Sequence, residues 1–158
     1  MVDIVDKAVR SKMMAGIKAK NTKPELLLRR FLHSLGFRYR IHVGSLPGSP
    51  DLVLAKYKLA IFVHGCFWHQ HSGCRYAAKP DVRGDQWSEK FAVNQARDEQ
   101  HLFQLRSLGW RVFLIWECGI TKGKNRPSLE WLPYAIKDIK LDFISWPNPI
   151  IQTVSVDA

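Results

Sequence analysis

The sequence lacks the features of several common protein classes. It has no apolar run close to the roughly 20 residues that a membrane-spanning helix needs, which excludes an integral membrane protein. Residues 1–7 do not contain the basic stretch followed by an apolar one that marks a secretory signal. Only three cysteines are present, an odd number that argues against a disulfide framework. We therefore expect a cytoplasmic protein in a reducing compartment, without a membrane partner.

Acidic residues are also scarce. The chain has 14 Asp and Glu against 24 Lys and Arg, a formal net charge of +10. Such a surplus favours binding of a polyanion, because basic side chains neutralise phosphates and release their counterions. Nucleic acid is the leading candidate, although charge alone does not distinguish it from a basic protein with no such partner. The chain has no internal repeat, and 158 residues suffice for one folded core.

Apolar spacing and turn residues predict an α/β fold with a mixed central sheet flanked by helices. A basic N-terminal arm is expected at residues 1–20, the folded domain at residues 21–140 and a C-terminal tail at residues 141–158. Helices are predicted at residues 22–35, 87–108 and near 128–140, and strands at residues 38–43, 51–55, 59–64 and 110–116. The second and third strands should form a hairpin, and the fourth should complete the sheet. Residues 65–86 form a loop so long that it needs a metal or a function to organise it.

This loop carries most of a potential metal site. Cys66, His71 and Cys74 lie within nine positions, and Cys118 follows the last predicted strand. Zinc favours four such ligands in a tetrahedron, so the set predicts a structural zinc that staples the loop to the sheet. His69 could replace His71 as the fourth ligand. The alternative without metal is three buried cysteines and a surface histidine.

Four further residues suggest acid–base and metal chemistry. Asp51 opens a predicted central strand, where its carboxylate could bind magnesium, although a turn aspartate is the simpler interpretation. His64 ends the neighbouring strand and His69 lies five positions later, so both imidazoles could converge on Asp51. Asp98 lies on the apolar stripe of a predicted helix, where a carboxylate needs a partner. His69 is the expected partner, although Asp98 could instead be exposed to solvent.

Aromatic residues occupy the loop that zinc would rigidify. Phe67 and Trp68 stand between Cys66 and His69, and Trp87 lies at the far end of the loop. Apolar wedges on a rigid, basic protein can unstack DNA. Filling of the core is the alternative, and it is as plausible as a wedge for Trp87, which begins a predicted core helix.

Several ordered motifs are similar to those of one nuclease family. The run FVHGCFWHQH at residues 62–71 is preceded by LPGSPD at residues 46–51 and followed by WEC at residues 116–118. The same order includes RSK at residues 10–12, TKPE at residues 22–25, GFRYR at residues 36–40 and NQARD at residues 94–98. From about residue 6 to residue 118 the chain thus resembles the very-short-patch repair (Vsr) DNA mismatch endonucleases.

The resemblance implies a restriction-endonuclease-like fold, a structural zinc, and magnesium-dependent hydrolysis of the phosphodiester 5′ to the thymine of a T·G mismatch. In that family such mismatches arise by deamination of 5-methylcytosine in the recognition site of a cytosine methyltransferase. The expected partner is double-stranded DNA with a T·G mismatch, mismatch-repair proteins are further candidates, and a monomer is expected. The alternatives are a homing or restriction nuclease that cuts matched duplex, and a non-catalytic zinc-containing DNA-binding module.

The resemblance also implies which residues hold the metals and the DNA. Asp51 would bind magnesium with the main-chain carbonyl of Val63, and Glu25 would support the hydration shell of the metal. The zinc ligands would be Cys66, His71, Cys74 and Cys118, and the intercalating aromatics would be Phe67, Trp68 and Trp87.

The implied chemistry rests on histidines. His69 would activate water with Asp98 behind it, while His64 would contact the scissile phosphate. The strand that ends at His64 lacks the second acid and the lysine that related nuclease folds usually place there. This absence favours a histidine mechanism.

Overall fold

The computed structural model describes residues 20–78, 82–121, 129–147 and 150–153. The predicted basic arm therefore lies outside the described residues, apart from Lys20. Within these ranges, no helix is long and apolar enough to cross a membrane.

A mixed sheet of six strands forms the centre of the described structure, in the order β1 to β6. The strands are β1 (Arg40–Ile41), β2 (Leu52–Leu54), β3 (Leu59–His64), β4 (Arg111–Trp116), β5 (Leu141–Trp146) and β6 (Ile150–Thr153). The first three are antiparallel neighbours, β3, β4 and β5 are parallel, and β6 returns antiparallel to β5. The helices are α1 (Lys23–Ser34), α2 (Gly84–Ser107), α3 (Glu117–Ile120) and α4 (Leu132–Lys137). The predicted α/β class with a mixed sheet is confirmed.

The first helix begins and ends where its sequence predicts. Thr22 caps α1 by accepting a hydrogen bond from the Glu25 N–H, and Pro24 lies in the first turn, where a missing N–H costs nothing. Glu25 also accepts a hydrogen bond from the backbone N–H of Asn21 at 3.2 Å, so the acid is held at the start of the helix. Gly36 follows the helix with φ +83°, a conformation that glycine adopts without strain. The capping residues therefore fix where Glu25 stands.

Helices cover both faces of the sheet. On one face, apolar side chains of β2, β3 and β4 pack with α1 and α4, and the buried residues include Leu28, Leu32, Ile61, Phe113, Ile115 and Ile136. On the other face, Ala60, Phe62, Val112 and Leu114 pack against Leu105 of α2. β3 and β4 are buried on both faces, which explains why they are continuous apolar runs in the sequence.

Two strand predictions need correction. The predicted strand at residues 38–43 shrinks to Arg40–Ile41, because His42 turns the chain with φ +46°. The prediction that residues 110–116 form the last strand is wrong, since β5 and β6 extend the sheet within the segment expected to be a C-terminal tail. Asp142 and Ser145 interrupt the apolar character of β5, so its sequence resembles a tail, yet Ile144 and Trp146 are buried in the core.

A buried arginine links three segments at one edge of the fold through hydrogen bonds. The guanidinium of Arg111 at the start of β4 donates hydrogen bonds to five backbone carbonyls, those of Tyr57, Ala135, Ile136, Asp138 and Leu141. It thereby ties the β2–β3 connection to the end of α4 and the start of β5. The guanidinium of Arg111 is itself buried, and leaving a buried polar group without a hydrogen bond costs about 1–3 kcal/mol, so these carbonyls stabilise it.

Candidate active site and metal centres

A cleft of about 890 Å³ opens where β2 begins and β3 ends. Glu25, Asp51, His64, His69 and Asp98, which are the five residues predicted to carry the chemistry, all line it. They come from α1, the start of β2, the end of β3, the following loop and α2. The structure therefore brings together the predicted catalytic set, whose members are spread over residues 25–98 of the chain.

Asp51 is held against the neighbouring strand. Its Oδ2 accepts a hydrogen bond from the Val63 N–H at 2.7 Å. Burial raises the pKa of Asp51 to about 6, while the Val63 hydrogen bond opposes the rise and the charge of Glu25 adds to it. The ligand atoms of Glu25, His42 and Asp51 lie within 4.8 Å of one another. Two acids in a buried cluster resist ionisation together, and a divalent cation removes that cost, so the donors fit a hard metal ion.

Glu25 is fixed by two residues that sequence reasoning missed. Arg29 donates to Glu25 Oε2 at 2.9 Å, and His42 Nε2 lies 3.1 Å from the same oxygen. His42 adopts φ +46°, and its backbone N–H donates to the Asp51 carbonyl at 3.2 Å. Arg29 lies one helical turn after Glu25, a spacing that signals an ion pair. His42 was missed because the sequence pattern predicted a continuous strand through residues 38–43, whereas the chain turns at His42 and brings its side chain to Glu25.

His69 and Asp98 form the predicted pair. His69 Nδ1 donates to Asp98 Oδ2 at 2.6 Å, and both side chains are only partly exposed. This bond places the proton on Nδ1 and leaves Nε2 free to accept another. A positioned carboxylate behind an imidazole is the arrangement of a general base and its orienting acid.

His64 lies face to face with His69. Their ring centroids are 3.8 Å apart with an angle of 9° between the planes. Burial, and to a lesser extent the neighbouring His69, lower the pKa of His64 to about 3, so the imidazole is neutral at physiological pH. Among the described residues, Nδ1 of His64 has no hydrogen-bond partner.

Helix α2 holds the loop at two points. Asn94 donates from its side-chain amide to the Trp68 carbonyl at 3.1 Å, and Asp98 binds His69 one turn later. Residues four apart lie on the same helix face, so one face of α2 positions consecutive residues of the loop. The motif NQARD at residues 94–98 therefore has a structural role, which is to hold Trp68 and His69 of the loop in place.

The four predicted zinc ligands converge. The ligand atoms of Cys66, His71, Cys74 and Cys118 all lie within 4.8 Å of one another. His71 Nδ1 is 3.7 Å from Cys66 Sγ and 3.5 Å from Cys118 Sγ. A tetrahedral zinc with ordinary bond lengths separates sulfur and nitrogen ligands by about 3.6 Å, so the residues fit this ion. His71 belongs to the cluster and His69 does not, which resolves the alternative that the sequence left open.

The carboxyl end of β5 supports this cluster. Burial lowers the pKa of His71, and a hydrogen bond to the backbone of Pro147 opposes the shift. Because Nδ1 faces the cysteines and proline has no N–H, the other ring nitrogen donates to the Pro147 carbonyl. Histidine ligands of metals commonly donate their second N–H in this way. Sequence reasoning missed Pro147, since it assigned this region to a tail.

Trp116 connects the two centres. Its ring stacks on His71 with centroids 4.2 Å apart, and it meets the ring of His64 edge-on at 5.2 Å. The indole N–H donates to Ser145 Oγ at 2.9 Å, which fixes the ring in its plane. One side chain at the end of β4 therefore packs against both the cysteine cluster, through His71, and His64 in the cleft.

The predicted intercalating aromatics form one cluster. The Phe67 ring meets Trp68 at 5.1 Å, Trp87 at 5.3 Å and Phe91 at 5.1 Å. Phe91 is buried, whereas Phe67, Trp68 and Trp87 are each partly exposed. Lys90 lies over Trp68 and Trp87 at 5.1 and 5.8 Å from their ring centroids. The cluster therefore packs on buried Phe91, and its other three rings remain partly accessible to solvent.

Comparison with known proteins gives consistent matches. The model of the family described as "DNA mismatch endonuclease Vsr" matches residues 2–76. The type II nicking enzyme V.XorIIP of Xanthomonas oryzae pv. oryzae is 44% identical over 121 residues, 77% of this chain and 88% of that protein. The type II nicking enzyme V.NmeAIP of Neisseria meningitidis is 42% identical over 139 residues, 87% of this chain and 99% of that protein. DNA mismatch endonuclease Vsr of Escherichia coli is 39% identical over 138 residues, 87% of each chain.

Proposed function

Because the chain belongs to the Vsr family of DNA mismatch endonucleases, we propose that it nicks duplex DNA 5′ to the thymine of a T·G mismatch, with magnesium as the catalytic ion. Endonuclease activity follows from the family itself. The observation that carries the finer proposal is the single cleft in which the Glu25–Asp51 acids meet the His69–Asp98 pair. Deamination of 5-methylcytosine would supply the T·G substrate, and a cytoplasmic monomer suffices for this activity.

Asp51 and Glu25 are the residues that would hold magnesium. Asp51 is the direct ligand in this proposal, together with the Val63 carbonyl, and Glu25 supports the hydration shell. Glu25 already accepts hydrogen bonds from Arg29 and Asn21, which suits it to an indirect role. When bound, the cation supplies positive charge that stabilises the negative charge growing on the phosphate oxygens.

One histidine accepts the proton in this proposal, and a second contacts the phosphate. His69 Nε2 accepts a proton from the attacking water, because Nδ1 already donates to Asp98. The carboxylate of Asp98 stabilises the imidazolium that results. His64 is neutral, since burial lowers its pKa to about 3, and it donates a single N–H to a phosphate oxygen. Its stacking on His69 fixes the two rings in one orientation toward the cleft.

The aromatic cluster and the zinc complete the proposal. Phe67, Trp68 and Trp87 would enter the base stack at the mismatch, where a wobble pair resists unstacking less than a matched pair. The cysteine and histidine ligands on either side of Phe67 and Trp68 would hold zinc as a structural ion and keep these rings from collapsing inward. The mixed sheet, with Asp51 at the start of β2, also supports a restriction-endonuclease-like core.

The catalytic pair provides one test. His69→Ala should lower the rate of nicking at saturating DNA by at least about a hundredfold, the low end for the loss of a general base. Asp98→Asn should act through the same step, because it removes the charge that fixes the His69 tautomer. The double variant should then be little slower than His69→Ala alone. If the two losses multiply fully, the residues act independently and the proposed pair is wrong.

Substrate choice provides the other test. Paired oligonucleotides that differ only by one T·G mismatch are incubated with the enzyme, with magnesium present or chelated. We expect a single nick on the thymine strand of the mismatched duplex, and no nick after chelation. Equal nicking of the matched duplex would indicate a restriction-type nuclease instead. Tight binding without nicking would indicate a DNA-binding module.

A further inference from the structure

The active-site cleft contains basic side chains that the proposed chemistry has not used. Arg97 and His101 of α2 and Lys20 line it together with the acids and the catalytic histidines. The acids account for the metal, and the histidines account for the proton. Neither role places a permanently charged side chain of the protein against the phosphodiester.

Arg97 stands on a segment of helix that is held on both sides. Asp98 binds His69 at 2.6 Å, and one turn later His101 packs against the backbone of the loop at Gly48. A Cβ added to Gly48, which has φ +77°, would lie 3.0 Å from His101 Cβ, so the loop packs closely against the helix at a position that favours glycine. The backbone of Arg97 is therefore fixed relative to both His69 and the start of β2.

The guanidinium of Arg97 has no hydrogen bond or carboxylate partner within the described ranges, 20–78, 82–121, 129–147 and 150–153. The other arginines near the core differ in this respect. Arg29 pairs with Glu25, Arg106 pairs with Asp142 at 2.8 Å, and Arg111 binds backbone carbonyls. The adjacent Asp98 is committed to His69. Arg97 thus offers a complete set of donors to whatever enters the cleft.

Arg97 is exposed on this fixed segment of helix, and a guanidinium in such a cleft suits a phosphate. Its planar donors match two phosphate oxygens, and it keeps its charge at any physiological pH. The strand that ends at His64 has no lysine, and a cationic side chain at the phosphate is one of the common ways to stabilise charge in the transition state. Arg97 reaches the same cleft from the opposite element, the helix that also carries Asp98.

We propose that Arg97 binds the phosphodiester at the scissile position and supplies the cationic contact that β3 lacks. The inference rests on the proposed DNA cleavage in this cleft, but not on the T·G preference. His101 holds the helix against the loop and so acts as a positioning residue for Arg97. Two quantities depend on this contact: the number of phosphates that the enzyme neutralises, and the rate of the chemical step.

The test compares Arg97→Ala, Arg97→Lys and the matched control Arg106→Ala. Arg106 is on the same helix, nine residues further on, and does not line the cleft. Affinity for a labelled T·G duplex is measured by fluorescence anisotropy over a range of salt concentrations, without magnesium. The rate of nicking is measured separately with magnesium and excess enzyme. A melting curve of each variant checks that the fold is intact.

For Arg97→Ala we expect the slope of log affinity against log salt to fall by about 0.9, the value for one lost phosphate contact. The single-turnover rate should fall by about a hundredfold or more, as when one charge-stabilising donor is removed. Arg97→Lys should restore the slope but only part of the rate, because an ammonium lacks the paired donors. Arg106→Ala should match the wild type in rate.

Two outcomes would overturn the inference. One is an Arg97→Ala variant with the salt slope and rate of the wild type. The other is an Arg106→Ala variant that loses as much rate as Arg97→Ala, which would show a general effect of charge. If the wild type binds DNA but does not prefer a T·G duplex, the proposed function fails. The salt slope still decides the role of Arg97 in that case.

Discussion

Asp51→Asn is expected to abolish nicking while DNA binding and the fold persist. An amide cannot replace a charged carboxylate as a ligand of a hard cation, yet it keeps the volume of the side chain. Its oxygen can still accept the hydrogen bond that the Val63 N–H donates to Asp51 Oδ2. The measurement is single-turnover nicking of a T·G duplex together with affinity for the same duplex. Normal turnover by the variant would refute the metal assignment.

The same variant should be more stable than the wild type when no metal is present. The pKa of Asp51 is raised from 3.8 to about 6 by burial, so the folded state resists the ionised form. A carboxyl with a raised pKa destabilises the fold increasingly as pH rises through this window, and the full cost is present above about pH 6. At pH 7 in the presence of a chelator, the free energy of unfolding of Asp51→Asn should therefore exceed that of the wild type by up to about 3 kcal/mol.

A matched control is Asp142→Asn. Asp142 pairs with Arg106 outside the active-site cleft, so this variant loses a carboxylate without touching the cleft. It should nick at the rate of the wild type and should not gain stability in a chelator. If both variants gain stability equally, the effect reflects the net charge of the protein and not the burial of Asp51.

Cys118→Ser is expected to lose bound zinc and thermal stability together. Cys118 lies on α3, whereas Cys66, His71 and Cys74 lie in the loop after β3, so the ion would join two separate parts of the chain. Burial raises the pKa of the Cys66 and Cys118 thiols, because a buried thiolate is unfavourable on its own. Zinc would bind the thiolates in place of the protons and compensate their charge. The sheet has its own apolar core, so the loop should loosen before the sheet unfolds.

The magnitude of this effect can be bounded. Structural zinc contributes about 10–16 kcal/mol in small zinc-binding peptides, and part of that should appear here as ordering of the loop. A loss of several kcal/mol corresponds to a fall in Tm of about 10 °C in a domain of this size. Zinc content is measured by atomic absorption beside the melting curve. Ser72→Ala, at an exposed position between the ligands, is the control and should keep both zinc and Tm.

The Cys118→Ser variant also tests whether loss of loop structure alone lowers the rate of nicking. His69 is in the same loop as Cys66 and His71, and Trp116 stacks on His71 while touching His64. A loosened loop should therefore disturb the His69–Asp98 pair, so nicking should fall although no catalytic group has changed. If purified wild-type protein contains no stoichiometric zinc, the structural-zinc proposal is wrong.

The local parts of the fold could be predicted because their causes are local. Thr22, Pro24, Glu25 and Gly36 set the ends of α1 by capping and backbone conformation, which involve only neighbouring residues. The prediction that Asp98 pairs with His69 was also correct, since a carboxylate on an apolar stripe requires a partner and few were available. The β2–β3 hairpin followed from two apolar runs with a short connection.

Long-range packing decided the rest. The residues of β5 show only two buried side chains, Ile144 and Trp146, and become a strand because β4 offers an unpaired edge beside them. His42 reaches Glu25 only because its backbone adopts a left-handed conformation, which the spacing of apolar residues in the sequence does not predict. Pro147 supports His71 for the same reason, since the contact exists only after β5 has joined the sheet.

The sequence by itself determined the chemistry available to this protein: which side chains can bind metal, move a proton or meet DNA, and the helices whose ends are set by adjacent residues. These properties belong to residue types and short spacings, so they survive without a fold. The tertiary structure alone decided which histidine joins the cysteines, which arginine lines the cleft beside the His69–Asp98 pair, and how Trp116 contacts both His71 and His64. Such choices depend on distances between residues far apart in the chain, and only the assembled sheet and its helices set those distances.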